Sequence, residues 1–222
     1  MKKLVIVAAL LIAVGAFASR PKRLIIAIVD TGIRASPELE GKLCGGIDIT
    51  GYGLYDRDGH GTNVASIIAR QIDGSKYCIM PIKFWNSVKQ VAPIDIAIKE
   101  AIKHGASYIN ISAGGGLYLK AEHTALKRAL NKGITIAVAA GNDGRNLEEV
   151  CYYYPACYKD LREYSGWYVV ANMRDGKLVD KSNYGFPVNA SGDGHEISAG
   201  GTTESGTSQA TASFLGHLIG EQ

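Results

Sequence analysis

Four polar residues sit among small neighbours that leave them reachable: Asp30 in IVDTGI, His60 in DGHGTNVAS, Asn142 in AAGNDG and Ser208 in SGTSQATA. Together these types supply the parts of acyl transfer: a hydroxyl nucleophile, an imidazole to take its proton, a carboxylate to orient the imidazole, and an amide donor for a developing oxyanion. Singly, each has a plainer reading. A serine at a helix start is commonly an N-cap, an aspartate at a strand end is commonly a turn residue, and a histidine between glycines suits an ordinary surface loop. The weight lies in the set.

Such a set works only if the fold gathers residues far apart in sequence. Residues 24–33, LIIAIVDTGI, form a nearly continuous apolar, β-branched run, which predicts a strand buried on both faces with Asp30 at its carboxyl end. HGTNVASIIARQI reads as a helix carrying His60 in its first turn, and YCIMPIKFW as the next strand. VAPIDIAIKEAIKHG and LKAEHTALKRALNKG read as helices, and ASYINISAGGG, ITIAVAAGNDG and GWYVVANM as strands. Beyond Met173 the chain is rich in Gly, Ser, Asn and Thr and predicts loops and short strands, closing on a helix over GTSQATASFLGHLIGEQ. This alternation implies an α/β fold of three layers, a mostly parallel central sheet with helices on both faces. In such sheets reactive groups collect outside the carboxyl ends of the strands, where Asp30, Ser112 and Asn142 all fall.

With 222 residues, 46% hydrophobic and 20% charged, the chain suits one domain with one substantial core. The first eighteen residues, with Lys2, Lys3, an apolar run over 4–14 and a small-residue ending, have the pattern of a signal peptide cleaved after Ala18. The competing reading is an uncleaved anchor, but the run is shorter than the span of about 20 residues a bilayer needs. Residues 19–222 are therefore expected as an exported catalytic domain, extracellular or periplasmic, with no membrane attachment after cleavage. The formal charge of +3 less those two lysines is +1, which excludes a footprint for nucleic acid. Cys44, Cys78, Cys151 and Cys157 allow three pairings. We prefer 44 with 78 and 151 with 157, since the second pair is close in sequence and the first two open or sit in predicted strands; free thiols are the alternative. Neither the cysteines nor the scattered histidines have the spacing of a zinc site.

The ordered motifs IVDTGI, DGHGTNVAS, AAGN and SGTSQATA resemble those of the subtilisin-like serine peptidases, or subtilases, and the resemblance runs from Leu24 to Ile219. SPELEGKL, ISAGGG, YPA and SNYGFPVNASGDGHEI resemble the family's intervening segments. The resemblance implies a secreted serine endopeptidase in which Asp30 orients His60, His60 serves as general base and then acid, and Ser208 is acylated. Asn142 and the Ser208 backbone amide would form the oxyanion hole. Ser112, Ala113, Gly114 and Gly115 would bind an extended polypeptide substrate by strand addition, unless the glycines serve only close packing. On an ordinary imidazole, activity is expected to rise through about pH 6 to 8.

The chain also departs from the family pattern. Only about five residues separate Ala18 from the first strand, where relatives carry a propeptide, so folding is expected to be either unaided or assisted by another chain, and in the second case a separate folding or inhibitor chain is the expected partner. Gln209 and Ala212 replace the usual methionine and proline, and the chain ends some fourteen residues after Ser208. The acyl-transfer chemistry requires no cofactor or metal. No room is left for the usual calcium loop after His60; Asp143, Asp193 and Glu196 could bind calcium elsewhere, but read better as solvated carboxylates. If Tyr153, in CYYYPACY, faces the specificity pocket, it should narrow it and favour small residues before the scissile bond. The rivals are a catalytically silent protein of this fold that captures peptides or a partner, and an esterase using the same groups.

Overall fold

The computed structural model describes residues 22–86 and 90–221. The signal-peptide expectation for residues 1–18 lies outside them. The strands are β1 Leu24–Asp30, β2 Ile47–Asp48, β3 Tyr77–Lys83, β4 Trp85–Asn86, β5 Gln90–Val91, β6 Ala106–Ile111, β7 Thr135–Ala139, β8 Trp167–Arg174, β9 Lys177–Leu178, β10 Ala190–Gly192, β11 Ile197–Ala199 and β12 Thr202–Glu204. The helices are α1 His60–Ala69, α2 Ile94–Lys103, α3 Lys120–Leu130 and α4 Thr207–Gly220. Every long element agrees with the alternation read from the sequence.

The main sheet runs in the order β10-β8-β7-β6-β1-β3-β2, all parallel, with β9 added antiparallel to β8. Two antiparallel hairpins, β4-β5 and β11-β12, lie apart from it. In a strand successive side chains face opposite ways, and β1 shows this directly. Ala27 and Val29 join the core beneath α2 and α3, with Ile98 and Leu126; Ile26 and Ile28 join the core beneath α1 and α4, with Ile68 and Leu215. A strand covered on both faces must be apolar on both, which is why the run over residues 24–29 does not alternate.

Both disulfides take the preferred pairing, Cys44–Cys78 and Cys151–Cys157. The first ties the segment before β2 to β3. The second closes the tyrosine-rich loop that packs on the α2–α3 side. Asp143, Asp193 and Glu196 are not gathered, and among the described residues no three His, Cys, Asp or Glu side chains are grouped to hold a metal ion.

Candidate active site

Asp30 ends β1 and is buried. Its Oδ1 accepts from the Thr31 amide and lies 2.8 Å from His60 Nδ1. A carboxylate can only accept, so the contact puts the proton on Nδ1 and leaves Nε2 of the neutral ring with its lone pair. His60 is the first residue of α1, and its approach to Asp30 depends on Gly61. A Cβ there would come within 2.6 Å of the Gly32 carbonyl oxygen and 3.1 Å of Asp30 Cβ.

Asp56 holds this approach together. Wholly buried, it accepts hydrogen bonds from Thr31 Oγ1, the amides of Asp58, Gly59 and Thr62, and Thr62 Oγ1. Burial alone would raise its pKa; these donors, led by Thr62, outweigh it and hold the carboxyl below its ordinary value. The sequence reading passed over Asp56. A carboxylate four residues before the histidine was a signal, but only the fold reveals that it is the loop's anchor.

The electrostatics of His60 follow from the same contacts. Burial pushes the imidazole down, while the charge and hydrogen bond of Asp30, with smaller contributions from Glu204 and Asp58, push it further up, to about 9.

Ser208 is the second residue of α4. Helix geometry leaves its backbone N–H without an intrahelical acceptor. Its Oγ donates to the Ser112 carbonyl oxygen at 3.1 Å, and Ser112 Oγ donates back to the Ser208 carbonyl oxygen at 3.1 Å. Among the described residues no hydrogen bond joins Ser208 to His60. Asn142, just beyond β7, accepts from the Thr207 amide at 2.8 Å through Oδ1. That contact fixes the amide orientation and leaves Nδ2 as a donor beside the start of α4. Asn183, also unremarked in the sequence, braces the Asn142 loop from beneath. Its side chain donates to the Ala140 carbonyl oxygen and accepts from the amides of Asp143 and Arg145.

Asp30, His60, Ser112, Ala113, Gly114 and Gly115 line one cleft of about 520 Å³, which Phe84, Ile94, Leu117 and Glu122 also wall. Ser208 joins it through Ser112, while Asn142 is tied to the start of α4 through Thr207. The segment after β6 is only partly free for strand addition. Gly115 already exchanges both backbone hydrogen bonds with Tyr154 at 2.8 Å, whereas among the described residues none engages the N–H or C=O of Gly114. Alternation along an extended segment explains the difference, since adjacent residues offer their backbone groups to opposite sides.

Tyr153 does not line this cleft. Its ring fills the space between Gly114 and Gly141: a Cβ on Gly114 would fall 2.5 Å from the ring, and one on Gly141 3.0 Å. Gly141 also has a φ of +98°, in the left-handed region. Burial, then the charge of Asp143, raises the Tyr153 hydroxyl to about 12. Of the glycines at 114 and 115, Gly114 does pack closely, against this ring, whereas a Cβ on Gly115 would meet nothing within 4 Å; the ring stands between residues 112–114 and the Asn142 loop.

With this geometry described, comparison with known proteins decides the family: the profile of the subtilase family matches residues 22–216. The chain is a subtilase. This subtilase is 36% identical over 207 residues to the cell wall-associated protease of Bacillus subtilis (strain 168), covering 84% of this chain and 22% of that protein. It is 32% identical over 207 residues to the extracellular serine proteinase of Thermus sp. (strain Rt41A), covering 85% of this chain and 48% of that one. The subtilase chain thus spans half or less of these curated relatives. A cold adapted subtilisin-like serine proteinase of known crystal structure shares the fold, with a TM-score of 0.72 at 22% identity over 89% of this chain and 74% of that one. Among the described residues no helix is long and apolar enough to cross a membrane.

Proposed function

We propose that this chain is a secreted serine endopeptidase, its mature part beginning at Ser19, that hydrolyses extended polypeptides through an acyl-enzyme on Ser208. The observation that carries the reading is the 2.8 Å contact between His60 Nδ1 and buried Asp30, which leaves Nε2 as the base.

In the reaction a substrate strand lies along Ser112, Ala113 and Gly114, and a substrate amide takes the Ser112 carbonyl oxygen. The Ser208 hydroxyl, released from that oxygen, turns to His60 Nε2. Oγ attacks the scissile carbonyl carbon as its proton passes to Nε2, and the oxyanion accepts from Asn142 Nδ2 and the Ser208 amide. The C–N bond then breaks, and the leaving amine takes the proton from His60. Water, deprotonated by His60, attacks the ester, and Ser208 leaves with the proton returned. The chemistry uses only groups of the chain itself. A separate folding or inhibitor chain remains the partner this reading expects.

The test is labelling with a fluorophosphonate, beside Ser208→Ala, with mass mapping of the adduct. Labelling at Ser208 that vanishes in the variant supports an activated nucleophile. One observation favours a second reading, a silent peptide-binding protein: the Ser208 hydroxyl bonds to Ser112 and not to His60. Folded protein that binds peptide but never labels would select it.

A further inference from the structure

Glu122 is a carboxyl in the wall of the substrate cleft, 5% exposed, with Oε1 shut off from solvent and unpartnered; Asp30 Oδ2 is in the same state, but there the other oxygen is held by His60. Glu122 is the third residue of α3, where a glutamate ordinarily reaches back to the backbone N–H of the capping residue. Here Tyr158 has taken that place, because the Leu119 amide donates to Tyr158 Oη at 3.3 Å. That hydroxyl donates to the Leu119 carbonyl oxygen at 3.1 Å and also lies beside the Glu122 carboxyl, so its one proton is shared and Oε1 is left without a donor. No cation among the described residues pairs with the carboxyl. Burial raises it to about 7; the neighbouring Tyr158 hydroxyl offsets part of this, and the carboxylate of Asp95 adds to it.

A buried carboxyl oxygen without a donor is costly, commonly by more than its hydrogen bonds would return, and it persists where something outside the fold completes it. The walls beside it are apolar, formed by Phe84, Ile94, Leu117 and Leu119. They suit a methylene stem and offer nothing to a charged head, while the carboxyl suits a cationic head and nothing apolar. Ser112, which contacts Ser208, and Phe84, whose amide donates to the Asp30 carbonyl oxygen, mark the reactive side of the cleft; Leu117 lies five residues beyond Ser112 in the chain, and Glu122 is in the first turn of α3 that follows.

Resting on the protease reading above, we infer that Glu122 is the base of a specificity pocket that selects a lysine or arginine side chain of a peptide strand pairing with Ser112, Ala113 and Gly114. The stem lies against Phe84, Ile94 and Leu117, and the cation completes the Glu122 carboxylate.

The experiment compares internally quenched peptides that differ at one position at a time, carrying lysine, arginine, norleucine, glutamine or glutamate. At one position lysine or arginine should exceed norleucine in kcat/KM by about ten- to hundredfold, the range of a charge-assisted bond in a closed site. Glu122→Gln should shrink that ratio toward unity, and Glu122→Leu should invert it. The same ratio is read as Kd by fluorescence anisotropy on Ser208→Ala. Cationic preference in binding without any turnover in the unaltered protein would sink the protease reading and leave the pocket standing. Equal treatment of lysine and norleucine at every position in the unaltered protein overturns the pocket, as does a preference that survives Glu122→Gln.

Discussion

Ser112 and Ser208 exchange hydrogen bonds, each hydroxyl donating to the other's carbonyl oxygen at 3.1 Å. The exchange joins the substrate segment to the start of α4, and Asn110 Nδ2 supports it by donating to Ser112 Oγ at 2.9 Å. Ser112→Ala removes the support of α4 but keeps the carbonyl that a substrate would use. It should cost about 1 kcal/mol of stability and lower kcat by roughly tenfold through misplacement of Ser208, with KM little changed. Urea unfolding and steady-state kinetics measure the two parts, and a rise in KM at constant kcat would instead assign the hydroxyl to substrate binding.

The pH profile should differ from that of a free imidazole. His60 must be neutral to accept a proton, and its pKa is raised to about 9, so kcat/KM should climb with a midpoint near 9, later than the pH 6 to 8 of an ordinary histidine. The stability linkage has the opposite direction. The folded pKa lies above the unfolded value of 6.5, so the Asp30–His60 contribution is complete below about pH 6.5 and is lost as pH rises through about 9. Asp30→Asn should move the kinetic midpoint back toward neutrality. A rate already at its plateau by pH 7.5 would contradict the raised pKa.

Tyr153 should govern the residue next to the scissile bond, because its ring stands between Gly114 and Gly141. The unaltered protein should favour small residues there. Tyr153→Ala should admit phenylalanine and leucine, raising kcat/KM for them by about tenfold relative to alanine, at a stability cost of roughly 1–3 kcal/mol for the lost packing. Cleavage-site profiling of both proteins decides the matter; large aromatic residues accepted by the unaltered protein would remove Tyr153 from this role.

Gln209 replaces an apolar residue of the family pattern, and its partners explain how. Its Nε2 donates to Asn63 Oδ1 at 3.2 Å and to Glu204 Oε2 at 3.0 Å, while Asn63 Nδ2 donates to carbonyl oxygens of Ile197, Ala199 and Thr202. The pair ties α4 to α1 and to the β11-β12 hairpin. Gln209→Ala strands the buried Asn63 acceptor and should destabilise by about 1–3 kcal/mol. A double-mutant cycle with Asn63→Ala should show coupling of about 0.5–3 kcal/mol, and additive losses would show that the two act independently. Nothing in the structure explains why alanine stands at position 212.

Local pattern by itself determined the alternation of strands and helices, the apolar strand that ends at Asp30, and the helices that place His60 and Ser208 in their first turns. These follow from spacing, glycine stops and β-branched runs, which act over a few residues. The motif order likewise carried the family and the four candidate side chains, Asp30, His60, Asn142 and Ser208. Only tertiary structure decided that Asp56 and Asn183 are anchors, that Gly115 is already paired to Tyr154, and that Tyr153 fills the space between two glycines. The same holds for Glu122, which in the sequence is one polar residue of an amphipathic helix. Whether a carboxylate is solvated or enclosed depends on what other segments bring against it, and hydrogen-bond partners drawn from residues 25 to 146 positions away leave no local trace.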